Sequence, residues 1–507
     1  MSIGKWNLSG MVMTIILIIS VGICSGRKVS DAKDFDTGSG KANSWIVCGA
    51  ILGCLVSGQA TIGTAQMAFC YGMAAWWFTL GSGIGCLILA VGYVVPLRHS
   101  GSATLLEVIG KKYGLKAEYF GSVLCSIGIF ISVIAQVLSS SALLTTILHL
   151  KPWIAALLAI TLMAVYVVFG GTWGAGMGGI VELTLLSAAA ALGLVIVLAG
   201  DCEAGGLAGQ LYARLAGTEL GKMNGLSAMQ DVNSRYWNLF SRGILKDAGS
   251  GLSLVLGVLS TQTYAQAIWS AKSDRSARKG ALLTACFIPP IGISCTLIGI
   301  FMRVHCITAA EAEALAAAGR KIPEGMMVIA GSAQAFPEFV LHFTPPLIGG
   351  IILGTLLITV VSGGAGLSMG AASILVNDII CRLQSSLSDA KKKLHVTRSA
   401  ILCILGSAAI IALCVPEGII NDFGFLSMGI RGTVVFVPLT CALFVKCNVE
   451  SRGILASMAA GPAAVLAGRF LKLPFDSLFL GIYICVMIIG ASSIMSKRTE
   501  LKNSYGD

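Results

Sequence analysis

The sequence predicts an all-α polytopic membrane protein of about 13 transmembrane helices. Three observations predict it. Hydrophobic residues make up 56% of the 507 and charged residues 12%, roughly half the charged share of a soluble domain, and the mean hydropathy is +0.86. Apolar runs near the ~20 residues that cross a bilayer recur along the chain. Lysine and arginine collect in the short gaps between those runs, the orienting signal of membrane topology.

The runs fall at about 9–25, 45–71, 75–95, 119–148, 152–170, 178–200, 249–270, 281–303, 343–377, 397–415, 420–445, 452–468 and 474–495. The first resembles a secretory signal peptide. It lacks a small-x-small cleavage site and is followed by Arg27 and Lys28, so it reads as a retained anchor. With the N-terminus outside and the C-terminus cytoplasmic, 22 of the 35 Lys and Arg fall in cytoplasmic gaps, as the charge bias of plasma-membrane proteins requires. This bias accounts for the net charge of +11 without a nucleic-acid partner. Most of the 16 cysteines lie inside apolar runs without paired ligand spacing, where cysteine acts as a small hydrophobe. Two longer outside segments, 201–248 and 304–342, are expected to form short helices and lids. No GxxxxGK[ST] phosphate loop is present, so an ATP-driven pump is unsupported.

Two runs are interrupted at mid-membrane depth. Residues 57–64, SGQATIGT, are polar and glycine-containing, and residues 260–266, STQTYAQ, lie five spans later. Backbone that leaves a helix in lipid strands polar groups, so such breaks survive where they line a cavity or bind an ion. Breaks in matching positions of two halves point to an inverted-repeat transporter with its site at the midplane. Residues 45–200 form the first repeat on this reading, and 249–446 the second. Residues 1–44 hold the anchor helix and a cytoplasmic loop; 447–507 hold two peripheral helices and a tail.

Four stretches then carry a family resemblance: SGQATIGTAQMAFCYGMAAWWFTLG, VYVVFGGTWGA, TQTYAQAIWSAKSDRSARKGAL and TVVSGGAGLSMGAASILVNDI. In this order and spacing they resemble the sodium/solute symporter family, over about residues 40–445. The resemblance implies a LeuT-type five-plus-five inverted repeat and cation-coupled uptake by alternating access. It also implies a sodium ion between the first and eighth core helices, held by the carbonyls of Gln59 and Ile62 and by Thr359, Ser362 and Gly363. Such a hard cation takes oxygens, and carbonyls supply them without net charge. This chain departs from the family in two places. Gly363 stands where a second hydroxyl is usual, which leaves protons open beside sodium as the coupling ion. The family's acidic residue falls at Gly179, with Glu182 the nearby carboxylate. Glu182 reads either as a helix-end carboxylate or as a cation or proton relay.

Arg431 stands inside a span with no near acidic partner except Asp422. An arginine there costs at least ~2.5 kcal/mol and should face a cavity or partner. It reads as a cap on carbonyls near Gly429 and Gly432, or as a fork for a substrate carboxylate. Thr61, Gln66, Gln136, Thr261 and Tyr264 are further substrate-lining candidates, against the alternative of polar packing between helices. The glutamate and lysine of the family's sugar-transporting branch are absent. The expectation is therefore a cation-coupled importer of a small polar solute, with a carboxylate or other anion favoured, partnered by lipid and by no obligate protein. A solute sensor would need an output domain, for which the tail from Ser496 is too short. A channel would need a continuous polar path, and no His/Asp/Glu cluster supports an enzyme.

Overall fold

The computed structural model describes residues 4–26, 40–200, 206–381, 390–415, 418–445, 449–471 and 473–504. Its elements are helices, apart from a short parallel strand pair, Cys306–Thr308 with Met327–Ile329. Among the described residues, nine helices are long and apolar enough to cross a bilayer, or ten with one bent pair. The count of thirteen is therefore not established. One cause is that the expected spans 152–170 and 178–200 lie in one uninterrupted helix, Pro152–Ala199. Glycines between them lower helix propensity by about 1 kcal/mol each. In apolar surroundings that is a smaller cost than leaving backbone groups unpaired.

The helices that build the site are few. Helix α1 (Lys5–Gly26) packs on a later helix through bare glycine. Helix α2 (Ser44–Leu55) starts on Asn43, whose side chain accepts the Ile46 N–H, and stops at Val56. The chain continues through a wide π-type turn, Gln59–Gly63, into α3 (Thr64–Tyr71). Gly72 then reverses it at φ 61°, a left-handed conformation with the Tyr236 backbone against its Cα. Glycine alone meets both demands. Helix α4 (Trp77–Ile88) follows, then α5 (Leu115–Leu148) and α6 (Pro152–Ala199).

The second half repeats the pattern. Helix α7 (Ile244–Leu259) ends at Ser260, Thr261 is extended, and α8 (Gln262–Trp269) leaves at 43°. Both expected interruptions are thus real breaks. Helix α9 (Asp274–His305) starts on the Ser273 cap. Helix α10 (Pro346–Ile374) contains the VSGGAGLSMG stretch and packs against α5, α6 and α1. Helix α11 (Ala390–Cys414) precedes α12 (Ile420–Arg431), and α13 (Ser451–Phe470) and α14 (Ser477–Ser504) pack on each other.

Segments 206–243 and 306–343 gather at one end of the bundle as short helices. They are pinned there by Arg303, 2% exposed, which forks onto Glu311 at 2.7 and 2.9 Å. Glu311 also accepts the Thr308 N–H and the Asn224 amide. Burial pushes the Glu311 carboxyl up, but Arg303 and these donors prevail and hold it at about 2. At the opposite end Thr104 caps Leu105–Tyr113 by accepting the Glu107 N–H at 3.0 Å. Asp378 there accepts the Ser122 hydroxyl at 2.9 Å.

Candidate cation and solute site

The first break is capped from a neighbouring helix. Gln136 of α5 accepts the Gly58 N–H at 3.2 Å and donates to the Ser57 hydroxyl at 2.5 Å. An irregular turn in a membrane core is tolerated only when protein groups take over its lost bonds; the Gln136 amide oxygen does this for the Gly58 N–H, and its NH2 group holds the Ser57 side chain beside it. Thr61 donates to the Ser57 carbonyl at 3.0 Å. These two expected substrate contacts therefore serve the break itself. Gln66 is spent at the loop-bearing end: its amide donates to the Gly418 carbonyl and the Ser332 hydroxyl, and accepts the Ile420 N–H at 2.9 Å.

Helix α10 crosses the break at close range. A Cβ on Gly363 would stand 2.5 Å from Ser57 Cβ, and one on Gly58 would lie 3.0 Å from Val360. Neighbouring residues on a helix point about 100° apart, so Ser362 faces elsewhere. Its hydroxyl lies 2.9 Å from Glu182 Oε2 and 3.2 Å from the Thr359 carbonyl. Glu182 is 2% exposed. It lines a narrow cavity with Val56, at the first break, with Thr359, and with apolar Leu52, Leu183 and Leu186. Of the expected cation ligands, Thr359 lines this cavity and Ser362 reaches Glu182 from beside it. Gln59 and Ile62 do not line it. The Gln59 carbonyl accepts the Thr64 hydroxyl at 3.2 Å, and Gly363 packs on Ser57.

The second break carries the guanidinium. Arg431 is fully buried. It donates to the Thr261 hydroxyl at 2.7 Å, to the Ser427 and Ser132 hydroxyls at 3.0 and 3.2 Å, and to the Ser427 carbonyl at 3.3 Å. Among the described residues no carboxylate lies within ion-pair distance of it. The Asp422 carboxylate pairs instead with Arg242 and Arg469. Arg431 thus ties α12, α5 and the α7–α8 break together. Tyr264 is buried one turn beyond Thr261. The Ser260 and Thr263 hydroxyls and Asn421 Oδ1, all near the breaks, are buried without a hydrogen-bond partner. Ser260 and Thr263 belong to the interruption read from the sequence without being singled out in it, and Asn421 was missed. So was Ser427, although the four-residue spacing to Arg431 on one helix face was visible.

A model of the sodium:solute symporter family matches residues 35–461. The chain belongs to the sodium:solute symporter family. As a member of this family it is a transporter rather than an enzyme: a multi-pass membrane protein that moves a small molecule coupled to sodium. It is 22% identical over 477 residues to a high-affinity choline transporter of Caenorhabditis elegans, covering 91% of this chain and 77% of that one. It is 22% identical over 512 residues to a sodium/glucose cotransporter of Vibrio parahaemolyticus, covering 95% and 89%. A solved structure of a Na+-coupled sialic acid symporter in an outward-open state superposes with a TM-score of 0.74 at 16% identity, covering 97% of this symporter and 98% of that chain. A nucleobase-cation-symport-1 transporter in a closed state gives 0.56 at 10% identity, covering 92% and 96%. The LeuT-type arrangement of the two halves is common to these folds.

Proposed function

We propose that this symporter imports a small anionic solute, with a carboxylate as its recognised group, and that the solute meets Arg431 beside the α7–α8 break. One observation carries the reading: Arg431 is a fully buried cation whose hydrogen-bond partners among the described residues are all neutral. A buried charge lacking a counter-charge costs several kcal/mol. A solute that brings the missing negative charge regains that energy on binding. The planar fork also suits a carboxylate, which accepts two parallel N–H donors. The same charge argues against a quaternary ammonium solute such as choline, because like charges repel strongly in a low-dielectric site.

The loop-bearing end faces the outside of the plasma membrane in this reading, with the N-terminus outside and the C-terminus cytoplasmic. The distribution of Lys and Arg supports that orientation. Gln66 fastens α3 to the start of α12 at this end, which is a closed outer gate. Sodium enters with the solute and occupies the oxygens of Thr359 and Ser362. The remaining expected contacts, Thr261 and Tyr264, flank the solute; Gln136, Thr61 and Gln66 support the break and the gate.

The test is uptake into proteoliposomes under an inward sodium gradient, using monocarboxylates, amino acids, glucose and choline. We expect a carboxylate to accumulate, and Arg431→Gln to raise its KM by about tenfold or more, the scale of one lost charged hydrogen bond. Uptake of glucose or choline that Arg431→Gln leaves unchanged overturns the anionic reading.

A further inference from the structure

Each broken helix resumes with a glutamine, and the two glutamines make the same pair of bonds at opposite ends of the bundle. Gln66 lies in the first turn of α3, and its amide brackets Ile419. It donates to the Gly418 carbonyl at 3.3 Å and accepts the Ile420 N–H at 2.9 Å. Gln262 is the first residue of α8, and its amide brackets Thr104 in the same way. It donates to the Ala103 carbonyl at 3.0 Å and accepts the Leu105 N–H at 3.0 Å. Both side chains are 2% exposed.

The bracketed residue is in each case the extended N-cap of the next helix, Ile419 before α12 and Thr104 before Leu105–Tyr113. The first N–H groups of a helix have no partner inside it, so each amide takes a donor that the backbone leaves over. The clamps differ in where they lie. Gln66 holds the loop-bearing end, with Ser332 beside it. Gln262 holds the opposite end, where the Thr104 hydroxyl faces the Asp378 carboxylate at 3.4 Å, past the end of α10. There α8 is joined to the start of α2: Ala42 donates to the Ser270 carbonyl and accepts the Lys272 N–H, both at 2.9 Å. Arg98 donates to the Ile268 and Ala271 carbonyls, and Trp269 to the Leu97 carbonyl. The ends of α2 and α8 and the helix Val94–His99 thus form one unit, and Gln262 clamps it onto residues 103–105.

We infer that Gln262 is the inner gate residue of this symporter, matched to Gln66 at the outer gate, and that transport alternates by releasing one clamp while the other holds. This rests on the reading of Gln66 as a closed outer gate and of the loop-bearing end as external. Both clamps are made in this structure. They consist of the same neutral groups, so the bonds lost on opening either end are of one kind. Neither opening strands a charge in the membrane core.

Side-specific thiol labelling tests this. The reporter is Ser260→Cys, at the break between α7 and α8, where the native side chain is fully buried. A membrane-impermeant maleimide is applied to right-side-out and to inside-out vesicles. Mass spectrometry reads modification at position 260 alone, so the native cysteines do not count. In this background Gln262→Met keeps the bulk and removes the amide. It should speed labelling from the cytoplasmic face by about fivefold or more, the scale of one lost neutral hydrogen bond, and leave the outer face unchanged or slower. Gln66→Met should do the reverse. Cytoplasmic labelling no faster than in the reporter alone overturns the inference. A rise of the same size from both faces also overturns it, because that is general loosening. If Gln262→Met does not give monodisperse protein, Gln262→Asn decides by the same criteria, since its amide is one carbon too short to reach both backbone groups. If Gln66→Met alone has no effect, the outer-gate reading falls and the assignment of Gln262 stands. If both variants act from the faces opposite to those expected, the orientation falls and the paired gates stand.

Discussion

At the scale of single residues, the site is defined by substitutions that force one another. Gly363 exists because Ser57 is against it, and Ser57 is there because Gln136 holds the broken backbone. The sequence shows Gly363 as a missing ligand; it does not show that the space is already filled. This makes a prediction opposite to a simple family comparison. Restoring the usual hydroxyl with Gly363→Ser should lower sodium binding by about tenfold rather than raise it, because overpacking by a few atoms costs about 1–3 kcal/mol. Adding Ser57→Gly should recover part of that loss. Direct sodium binding by the two variants and the parent reads both effects, and an affinity gain in Gly363→Ser alone would remove Ser57 from this account. Arg431 was legible as an outlier of cost, since a charge inside an apolar run is visible in any sequence. Its serine and threonine partners were not, because they come from three separate helices.

At the scale of elements, both broken helices were legible. Polar, glycine-bearing residues in the middle of an apolar run conflict with an ordinary span, and that conflict is local. The first break lies at the start of the polar stretch, around Val56 to Gly58. Val56, not Gln59 or Ile62, lines the cavity beside Glu182. The exact residue at which a helix stops depends on Gln136, 78 positions away, and no local pattern carries that. Helix α6 hid its boundary for a related reason, since glycines weaken a helix but lipid-like surroundings preserve it. Its Gly179 is fixed by contact with α2, where the Gly49 carbonyl stands against it. Gly179→Ala should destabilise the folded protein by about 1–3 kcal/mol, because the neighbour is backbone and cannot move aside. Gly406→Ala in α11 meets no atom within 4 Å and should be neutral or slightly stabilising. Thermal unfolding in detergent compares them; equal transition temperatures would mean that α6 and α2 are not tightly packed at Gly49.

At the scale of the whole molecule, the inverted repeat follows from the two breaks, while the closed state follows from contacts that only the fold brings together. Gln66 and Ile420 are 354 residues apart, and Arg303 carries the short helices of the loop-bearing end through Glu311. The first break has a mechanical meaning beyond its chemistry. A gap in a helix is ordinarily its softest point, yet here a side-chain amide takes the Gly58 N–H that the helix gave up and grips the Ser57 side chain beside it. The bend is then a fixed elbow and not a hinge, so α2 and α3 swing as one lever when the gate changes side. The Gly58 amide hydrogen should accordingly exchange with deuterated solvent as slowly as those of the flanking helices. Gln136→Ala should speed that exchange while leaving the rest of α5 protected, and rapid exchange at Gly58 in the parent would return the break to the role of a hinge.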